Sequence, residues 1–230
     1  MNMYKNKTAK KQIQHYSDLY SKHHGTPMAV SSESLEHKKL RFEKISNIFE
    51  NDNNFSVHDV GMGLSDFNDY INIRFPEKEI VYSGSDIVKE YVDESTKKFP
   101  SLSFKQRDLS ESIPTDELYD YVVMSGVFHQ MRNSTVTEWE DFYQNLLQNS
   151  FKIAKKGLAF NFVTEHVDFR LNEIYYCEIE KLIAFITKNL SRFFVIHHNY
   201  ALYELTVHVF TQEFISEKYP QKEFTKYFKK

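Results

Sequence analysis

Short apolar runs alternate with longer amphipathic segments along most of the chain after residue 54. The runs have the length and the β-branched and aromatic content of strands, and the longer segments repeat apolar residues at helical spacing. Strands are predicted at 55–60, 79–83, 103–106, 119–124 and 157–163, and helices at 66–75, 87–99 and 139–153. This order predicts a parallel sheet with crossover helices, which is a doubly wound α/β domain.

The two ends of the chain depart from this alternation. A weakly amphipathic helix is predicted at 9–20, and a second helix follows Ser31 or Ser32, either of which can cap it. Near the other end, apolar runs at 193–197 and 204–210 flank a short connection, which predicts an antiparallel hairpin that closes the sheet. The predicted parts are an N-terminal helical cap (1–54), an α/β core (55–212) and a charged C-terminal tail (213–230).

Composition narrows the class of protein. With 230 residues, 41% apolar and 16% aromatic, the chain can fold around a sizeable core. A net charge of −3 provides no general cationic field, so no nucleic-acid partner is expected. Cys177 is the single cysteine, which excludes an intramolecular disulfide and a cysteine-based zinc site. Since no apolar stretch reaches about 18 residues, we expect a cytoplasmic protein that does not enter a membrane.

Glycine is scarce, and four of the six glycines lie at or just before predicted strand ends. Glycine is favoured at tight turns and where backbone approaches a ligand. Gly61 and Gly63 follow the first strand in VHDVGMGLSDF, although a turn without a ligand has the same pattern. Asp86 ends the second strand, 25 positions after Gly61, where nucleotide-binding α/β units place an acid that accepts from ribose hydroxyls. The alternative role for Asp86 is a helix N-cap.

The third and fourth strands also end in polar or glycine residues. Asp108 ends the third strand in FKQRDL, and Ser125, Gly126 and His129 follow the fourth in YDYVVMSGVFH. Ligands of open α/β sheets bind outside the carboxyl ends of the strands. The sequence therefore predicts a ligand site at this edge of the sheet.

The series DVGMG, YSGSDI, RDL and YDYVVMSGVFH resembles, in order across about residues 55–163, the motifs of class I S-adenosylmethionine-dependent methyltransferases. The C-terminal hairpin is similar to that family's reversed last strand. The segments HYSDLYSKHHGTP and LRFEKI resemble the helical cap of bacterial small-molecule members, including phosphonate O-methyltransferase-like enzymes. The resemblance implies a Rossmann-like, seven-stranded, mostly parallel sheet with an antiparallel last strand, and S-adenosylmethionine as the cofactor.

The resemblance also implies which residues contact the cofactor. The implied contacts are Asp59, Gly61 and Gly63 around its methionine portion, Asp86 on the ribose, Ile87 and Leu109 against the adenine, Asp108 on the adenine amino group, and the carbonyls of Ser125 and Gly126 on the ammonium. A dinucleotide is disfavoured, because Ser65 and Asp66 stand where the third glycine of its fingerprint is expected.

Methyl transfer from a sulfonium depends more on orientation and exclusion of water than on a base. His129 is the candidate general base, with a hydrogen-bonding or structural role as the alternative. Arg41 is a candidate for the cofactor carboxylate or an acidic substrate, or else a solvated helix residue. Candidate acceptor contacts, each with packing or a surface position as its alternative, are Tyr20, His24, Asn161 and Arg170. No metal is expected, because the adjacent His197 and His198 would face opposite sides of a strand.

The leading hypothesis is therefore a small-molecule methyltransferase, with oxygen preferred to nitrogen or carbon as the acceptor atom. An RNA or protein methyltransferase is one alternative, and a non-catalytic partner subunit that binds the same cofactor is another. The pattern leaves the acceptor and the oligomeric state open.

Overall fold

The computed structural model describes residues 6–23, 34–49, 51–114 and 116–228. Its strands are β1 (Asn54–Val60), β2 (Glu79–Asp86), β3 (Ser103–Gln106), β4 (Tyr119–Met124), β5 (Ala154–Val163), β6 (Phe194–His197) and β7 (Glu204–Phe210). The α-helices are α1 (Lys7–His23), α2 (Leu35–Ser46), α3 (Asp66–Arg74), α4 (Lys89–Lys98), α5 (Val136–Lys152), α6 (Ile179–Asn189) and α7 (Gln212–Lys218).

The strands form one seven-stranded sheet in the order β3-β2-β1-β4-β5-β7-β6. The first five strands are parallel, while β7 runs antiparallel to both β5 and β6. The predicted α/β fold class is confirmed, including the C-terminal hairpin. Within this hairpin β7 inserts beside β5, so that β6 becomes the edge strand.

Several predicted boundaries were wrong: β5 and α5 each begin three residues earlier than predicted. β2 passes the predicted limit at 83 and ends at Asp86, the residue that the motif had placed at its end, because Gly84 and Ser85 pair with β1 on one side and with β3 on the other. Strand pairing on both sides thus overrides the low strand propensity of these residues. α2 begins at Leu35 and is capped by Ser34, whose hydroxyl accepts from the His37 amide at 3.3 Å. The predicted caps Ser31 and Ser32 lie outside the described residues.

Alternating side chains of the central strands supply two cores on opposite faces of the sheet. Val122 and Met124 pack on the α5 and α6 side, whereas Tyr121 and Val123 pack with Phe49 on the α2 and α3 side. This is the two-residue period of a strand that is buried on both faces. The parallel pairing of β3, β2, β1, β4 and β5 places their carboxyl ends side by side at one edge of the sheet.

The N-terminal helices rest on this edge. On α1, Gln12 Nε2 donates to the Gln130 carbonyl at 2.8 Å, and the Tyr91 hydroxyl of α4 donates to the Tyr16 carbonyl at 3.4 Å. On α2, Phe42 makes an edge contact with Phe67 of α3, with ring centroids 5.1 Å apart. These contacts place both helices beside the strand ends that carry the predicted motifs.

The C-terminal segment that was predicted as a charged tail is largely helical. Thr211 caps α7 through a bond from the Phe214 amide, and the Phe214 ring stacks on Phe210 at 6.0 Å. A 3₁₀ segment follows at Lys222–Tyr227. None of the described helices is long and apolar enough to span a bilayer.

Candidate functional site

The turn after β1 depends on left-handed backbone. Gly61 has φ +72° and Gly63 has φ +55°, and the Gly61 amide donates to the Ser85 carbonyl at 2.8 Å. Ser65 also adopts φ +58°, a conformation that favours glycine. Its hydroxyl is buried and donates to Ser95 Oγ at 2.9 Å. A serine thus occupies the left-handed position at the start of α3.

Asp86 fastens this turn to the end of β2. One carboxylate oxygen accepts from the Gly63 amide at 3.0 Å, and the other accepts from the Val88 amide at 2.9 Å. Burial raises the pKa of Asp86 to about 6, although these amide bonds oppose the shift. A carboxylate offers about four lone-pair sites, so each oxygen can accept a further hydrogen bond. Asp86 therefore both shapes the turn and presents acceptors to a ligand.

Asp59, the penultimate residue of β1, is 2% exposed. The Tyr82 hydroxyl donates to Asp59 Oδ2 at 2.7 Å. Burial raises the pKa of Asp59 to about 7. The carboxyl group is consequently divided between its protonated and ionised forms near neutral pH.

One cavity of about 540 Å³ opens over these strand ends. The predicted site residues that line it are Asp59, Gly61, Gly63, Asp86, Ile87, Ser125, Gly126, His129 and Arg41. Gly126 has φ +75°, and a Cβ at this position would meet nothing within 4 Å. The volume lies within the range of about 300–1,000 Å³ that is usual for small-molecule sites.

Other predicted residues lie away from the cavity lining. Asp108 and Leu109 are buried, and Leu109 belongs to the core on the α5 side. Asp108 Oδ1 accepts from the Ser110 amide at 2.8 Å, whereas its buried Oδ2 has no hydrogen-bond partner among the described residues. Asp108 thus retains an acceptor.

Two predicted acceptor contacts are bonded outside the cavity. Tyr20 donates to Glu94 on the outer part of α4. Arg170 is exposed, donates to the Glu165 carbonyl at 3.3 Å and stacks on Tyr176 at 5.0 Å. His24, also predicted to contact the acceptor, lies outside the described residues.

Arg41 and Asn161 belong to one buried network. Arg41 Nε and Nη2 donate to Glu204 Oε1 at 2.8 and 2.6 Å, and Asn161 Nδ2 donates to Glu204 Oε2 at 2.7 Å. Asn161 Oδ1 accepts from the Gly126 amide at 2.8 Å. The network joins the N-terminal helix α2, the start of β7 and the loop after β4. Asn161 itself is fully buried and holds the loop instead of lining the cavity.

The same network fixes the protonation of His129. The Asn161 amide orientation is set, because its oxygen faces an N–H and its nitrogen faces a carboxylate. His129 Nε2, 3.2 Å from Asn161 Nδ2, must therefore accept, and the ring proton lies on Nδ1. Burial lowers the pKa of His129 to about 4, despite the opposing charge of Glu204. The neutral ring is a hydrogen-bond donor through Nδ1, and this geometry does not favour the predicted role of general base.

Known proteins share this architecture. The chain is 27% identical over 155 residues to a Mycobacterium tuberculosis protein named as a putative methyltransferase, a match that spans 66% of this chain and 91% of that protein. The N-methyltransferase NodS from Bradyrhizobium japonicum, solved with S-adenosylhomocysteine, superposes with a TM-score of 0.61 at 14% identity over 86% of this chain and 96% of NodS. The chain has the class I methyltransferase fold.

Magnesium protoporphyrin IX methyltransferase from Synechocystis, also solved with S-adenosylhomocysteine, shares the methyltransferase fold with a TM-score of 0.59 at 13% identity, over 88% of this chain and 99% of that one. No protein-family model matches the chain. The resemblance of the sequence motifs is confirmed at the level of the fold, and the strand ends that carry those motifs meet at one edge of the sheet.

The residues present at the edge of this methyltransferase fold suit S-adenosylmethionine. Asp86 offers carboxylate acceptors to hydroxyls, and the buried Asp108 Oδ2 is an acceptor without a partner among the described residues. Gly126 leaves open space where any other residue would place a side chain. These hydrogen-bond acceptors thus match a ligand rich in hydroxyl and amine groups.

Glu204 is the site residue that sequence reasoning missed. It is 3% exposed and lines the cavity, although it stands within an apolar strand. An acidic residue in an otherwise apolar strand indicates a buried carboxylate, and a buried carboxylate needs a charged or hydrogen-bonding partner. Its partners Arg41 and Asn161 are 163 and 43 positions away along the chain, so nothing local identifies them.

Proposed function

We propose that this protein is an enzyme that binds S-adenosylmethionine and transfers its methyl group to a small-molecule acceptor, with oxygen as the favoured acceptor atom. The observation that carries the proposal is the hydrogen bond from the Gly63 amide to Asp86, two residues that line the same cavity as Gly126 and His129. The sheet order and the likeness to known methyltransferases support it.

Within the proposal, each end of the cofactor has a counterpart in the chain. Asp86 accepts from the ribose hydroxyls, Ile87 packs on the adenine, and Asp108 accepts from the adenine amino group. Asp59 and the glycine turn surround the methionine portion. The carbonyls of Ser125 and Gly126 accept from the ammonium.

When bound, the cofactor supplies a methyl group on a sulfonium, and the C–S electron pair stays on the sulfur, which leaves S-adenosylhomocysteine. The chain aligns the acceptor atom opposite this bond and keeps water out. His129 orients the acceptor by donating from Nδ1, because its Nε2 already accepts from Asn161. The acceptor's lone pair would form the new bond to the methyl carbon as the C–S bond breaks, and the acceptor's proton would pass to bulk water when the methylated product leaves the site.

Calorimetric titration with S-adenosylmethionine and S-adenosylhomocysteine tests the cofactor site. We expect micromolar binding of both, and a loss of at least ten-fold in affinity in Asp86→Ala, because the ribose acceptors and the turn clamp are removed together. Asp93→Ala is the matched control, since this exposed acid pairs only with Lys89 on the outer face of α4 among the interactions described. Unchanged affinity in Asp86→Ala would refute the site assignment.

The choice of a small molecule over RNA depends on charge. A net charge of −3 offers few of the lysine and arginine contacts that phosphate backbones require. Salt-sensitive retention of RNA on a filter would contradict this part of the proposal. Methylation of low-molecular-mass acceptors with labelled cofactor would support it.

A further inference from the structure

We propose, on the basis of the proposed methyltransferase function, that the acceptor has an uncharged aromatic or similarly apolar body. The cavity continues past His129 onto a surface that we call the apolar wall, formed by Val167, Phe169, Leu171, Ile174, Tyr176 and Leu202. The wall comes from the connection between β5 and α6 and from the loop before β7. It belongs to the same cavity as Asp86 and Gly126.

The wall keeps large apolar side chains in contact with water. Phe169 is 63% exposed and Leu171 is 54% exposed, yet both line the cavity. Exposed apolar surface at a cavity is stabilised when a ligand covers it. The Phe169 ring also makes an edge contact with Tyr203, at 6.2 Å between centroids, which extends the aromatic surface.

Backbone hydrogen bonds hold the wall in place before any ligand binds. The Met131 amide donates to the Glu173 carbonyl at 2.9 Å, and the Tyr175 amide donates to the His129 carbonyl at 2.9 Å. The Cys177 amide donates to the Val163 carbonyl at 2.9 Å. A flat apolar ligand therefore meets a formed surface, which keeps the entropic cost of ordering it low.

The charges around the cavity argue against an anionic acceptor. The described lining residues include one lysine, Lys38, and one arginine, Arg41. Lys38 is ion-paired with Asp66, and Arg41 is ion-paired with Glu204. Residues 24–33 add no lysine or arginine to the cap. Arg170, at the outer side of the wall, stacks on Tyr176 and is not among the lining residues. The described lining acids Asp59, Asp66, Asp86 and Glu204 outnumber the two lining cations, so an anionic acceptor would meet a mostly negative lining.

The test compares one neutral and one anionic probe on the full chain saturated with S-adenosylhomocysteine. Calorimetry measures the binding of 2-naphthol, a neutral aromatic alcohol, and of 3-hydroxypropionate, a small anionic alcohol. We expect 2-naphthol to bind at least ten-fold more tightly. Phe169→Ser should weaken 2-naphthol about ten-fold, which corresponds to about 1.4 kcal/mol. The affinity for S-adenosylhomocysteine should stay within two-fold.

Val195→Ser is the matched control, because Val195 is 44% exposed on β6 and does not line the cavity. It should leave both affinities unchanged. Tighter or equal binding of 3-hydroxypropionate, or an unchanged 2-naphthol affinity in both Phe169→Ser and Leu171→Ser, would overturn the proposal. Failure of S-adenosylhomocysteine to bind would overturn the proposed function, and titration of 2-naphthol into the unliganded protein then judges the wall by itself.

Discussion

The pair formed by Arg41 and Glu204 yields a prediction with a definite size. The Glu204 side chain is 4% exposed and the Arg41 side chain is 23% exposed, and two guanidinium nitrogens reach one carboxylate. Breaking a buried pair costs about 3–5 kcal/mol, because the remaining charge is left without a partner. Since the cavity admits some water to Arg41, we expect Glu204→Leu to cost about 3 kcal/mol. For a chain of this length, that lowers the Tm by about 6–12 °C.

Replacing both partners should reverse part of this loss. The double variant Arg41→Leu with Glu204→Leu removes both charges together but leaves the buried Asn161 Nδ2 without its carboxylate acceptor, and we expect its stability to lie about 1–2 kcal/mol below the original protein. Urea unfolding followed by circular dichroism at pH 7.5 measures the two single variants, Arg41→Leu and Glu204→Leu, and the double variant. Lys39→Leu is the control on the same helix, because its pair with Glu36 is exposed and is worth less than about 0.5 kcal/mol. Additive losses in the double variant would refute the assignment of a coupled buried pair.

The same variants separate two roles for Arg41. If it mainly fastens α2 to β7, the double variant should bind S-adenosylhomocysteine more tightly than Glu204→Leu does, because the unpaired charge has gone. If instead Arg41 binds the cofactor carboxylate, the double variant should bind no better than Arg41→Leu. Calorimetric titration of the folded variants at 15 °C distinguishes these outcomes.

Three further predictions concern the strand ends. In the proposal the ionised Asp86 accepts from ribose, and its pKa is about 6. The affinity for S-adenosylhomocysteine, measured by calorimetry, should therefore be constant above pH 7.5 and fall about ten-fold per pH unit below pH 6. Asp86→Asn should abolish this pH dependence. Because the pKa of Asp59 is raised to about 7, protonation of Asp59 stabilises the folded unliganded chain; this stabilisation is full below pH 4 and is lost as the pH rises through 7. Urea unfolding at pH 8 should therefore show that Asp59→Asn is more stable than the original protein. A lower free energy of unfolding for Asp59→Asn at pH 8 would contradict the argument. His129→Asn, which keeps a donor, should retain at least a tenth of kcat/KM with an unchanged pH profile, whereas His129→Leu should lose more than that; equal losses would restore His129 as a base.

Much of the fold follows from local patterns. The apolar runs of β4 and β5 are visible in the sequence, and so is the hairpin at the end, whereas the division of their side chains between the two cores appears only in the folded sheet. Strand ends were harder to place. β2 extends through Gly84 and Ser85 because β1 and β3 pair with it on both sides, and such pairing is a property of the assembled sheet.

The site residues also fall into those that local sequence patterns predict and those that they do not. Gly61, Gly63 and Asp86 could be predicted, because a strand, a tight turn and an acid at the next strand end follow one another between residues 55 and 86. Arg41 was assigned to a ligand for its guanidinium and its place on the second helix, and Asn161 as a polar break in an apolar strand. Both instead bond to Glu204, which no local pattern connects to them.

This difference changes what the acceptor is expected to be. Arg41 was the sequence's candidate for an acidic ligand, since a guanidinium suits a carboxylate or a phosphonate, and Arg170 was a candidate acceptor contact. In the folded chain the first is neutralised by a buried carboxylate, and the second stacks on Tyr176 outside the cavity. What the cavity offers to the proposed acceptor includes the neutral His129 and the exposed side chains of Phe169 and Leu171. Under the proposal above, such a site selects by shape and apolar contact, and His129 donates the hydrogen bond that orients the reacting atom.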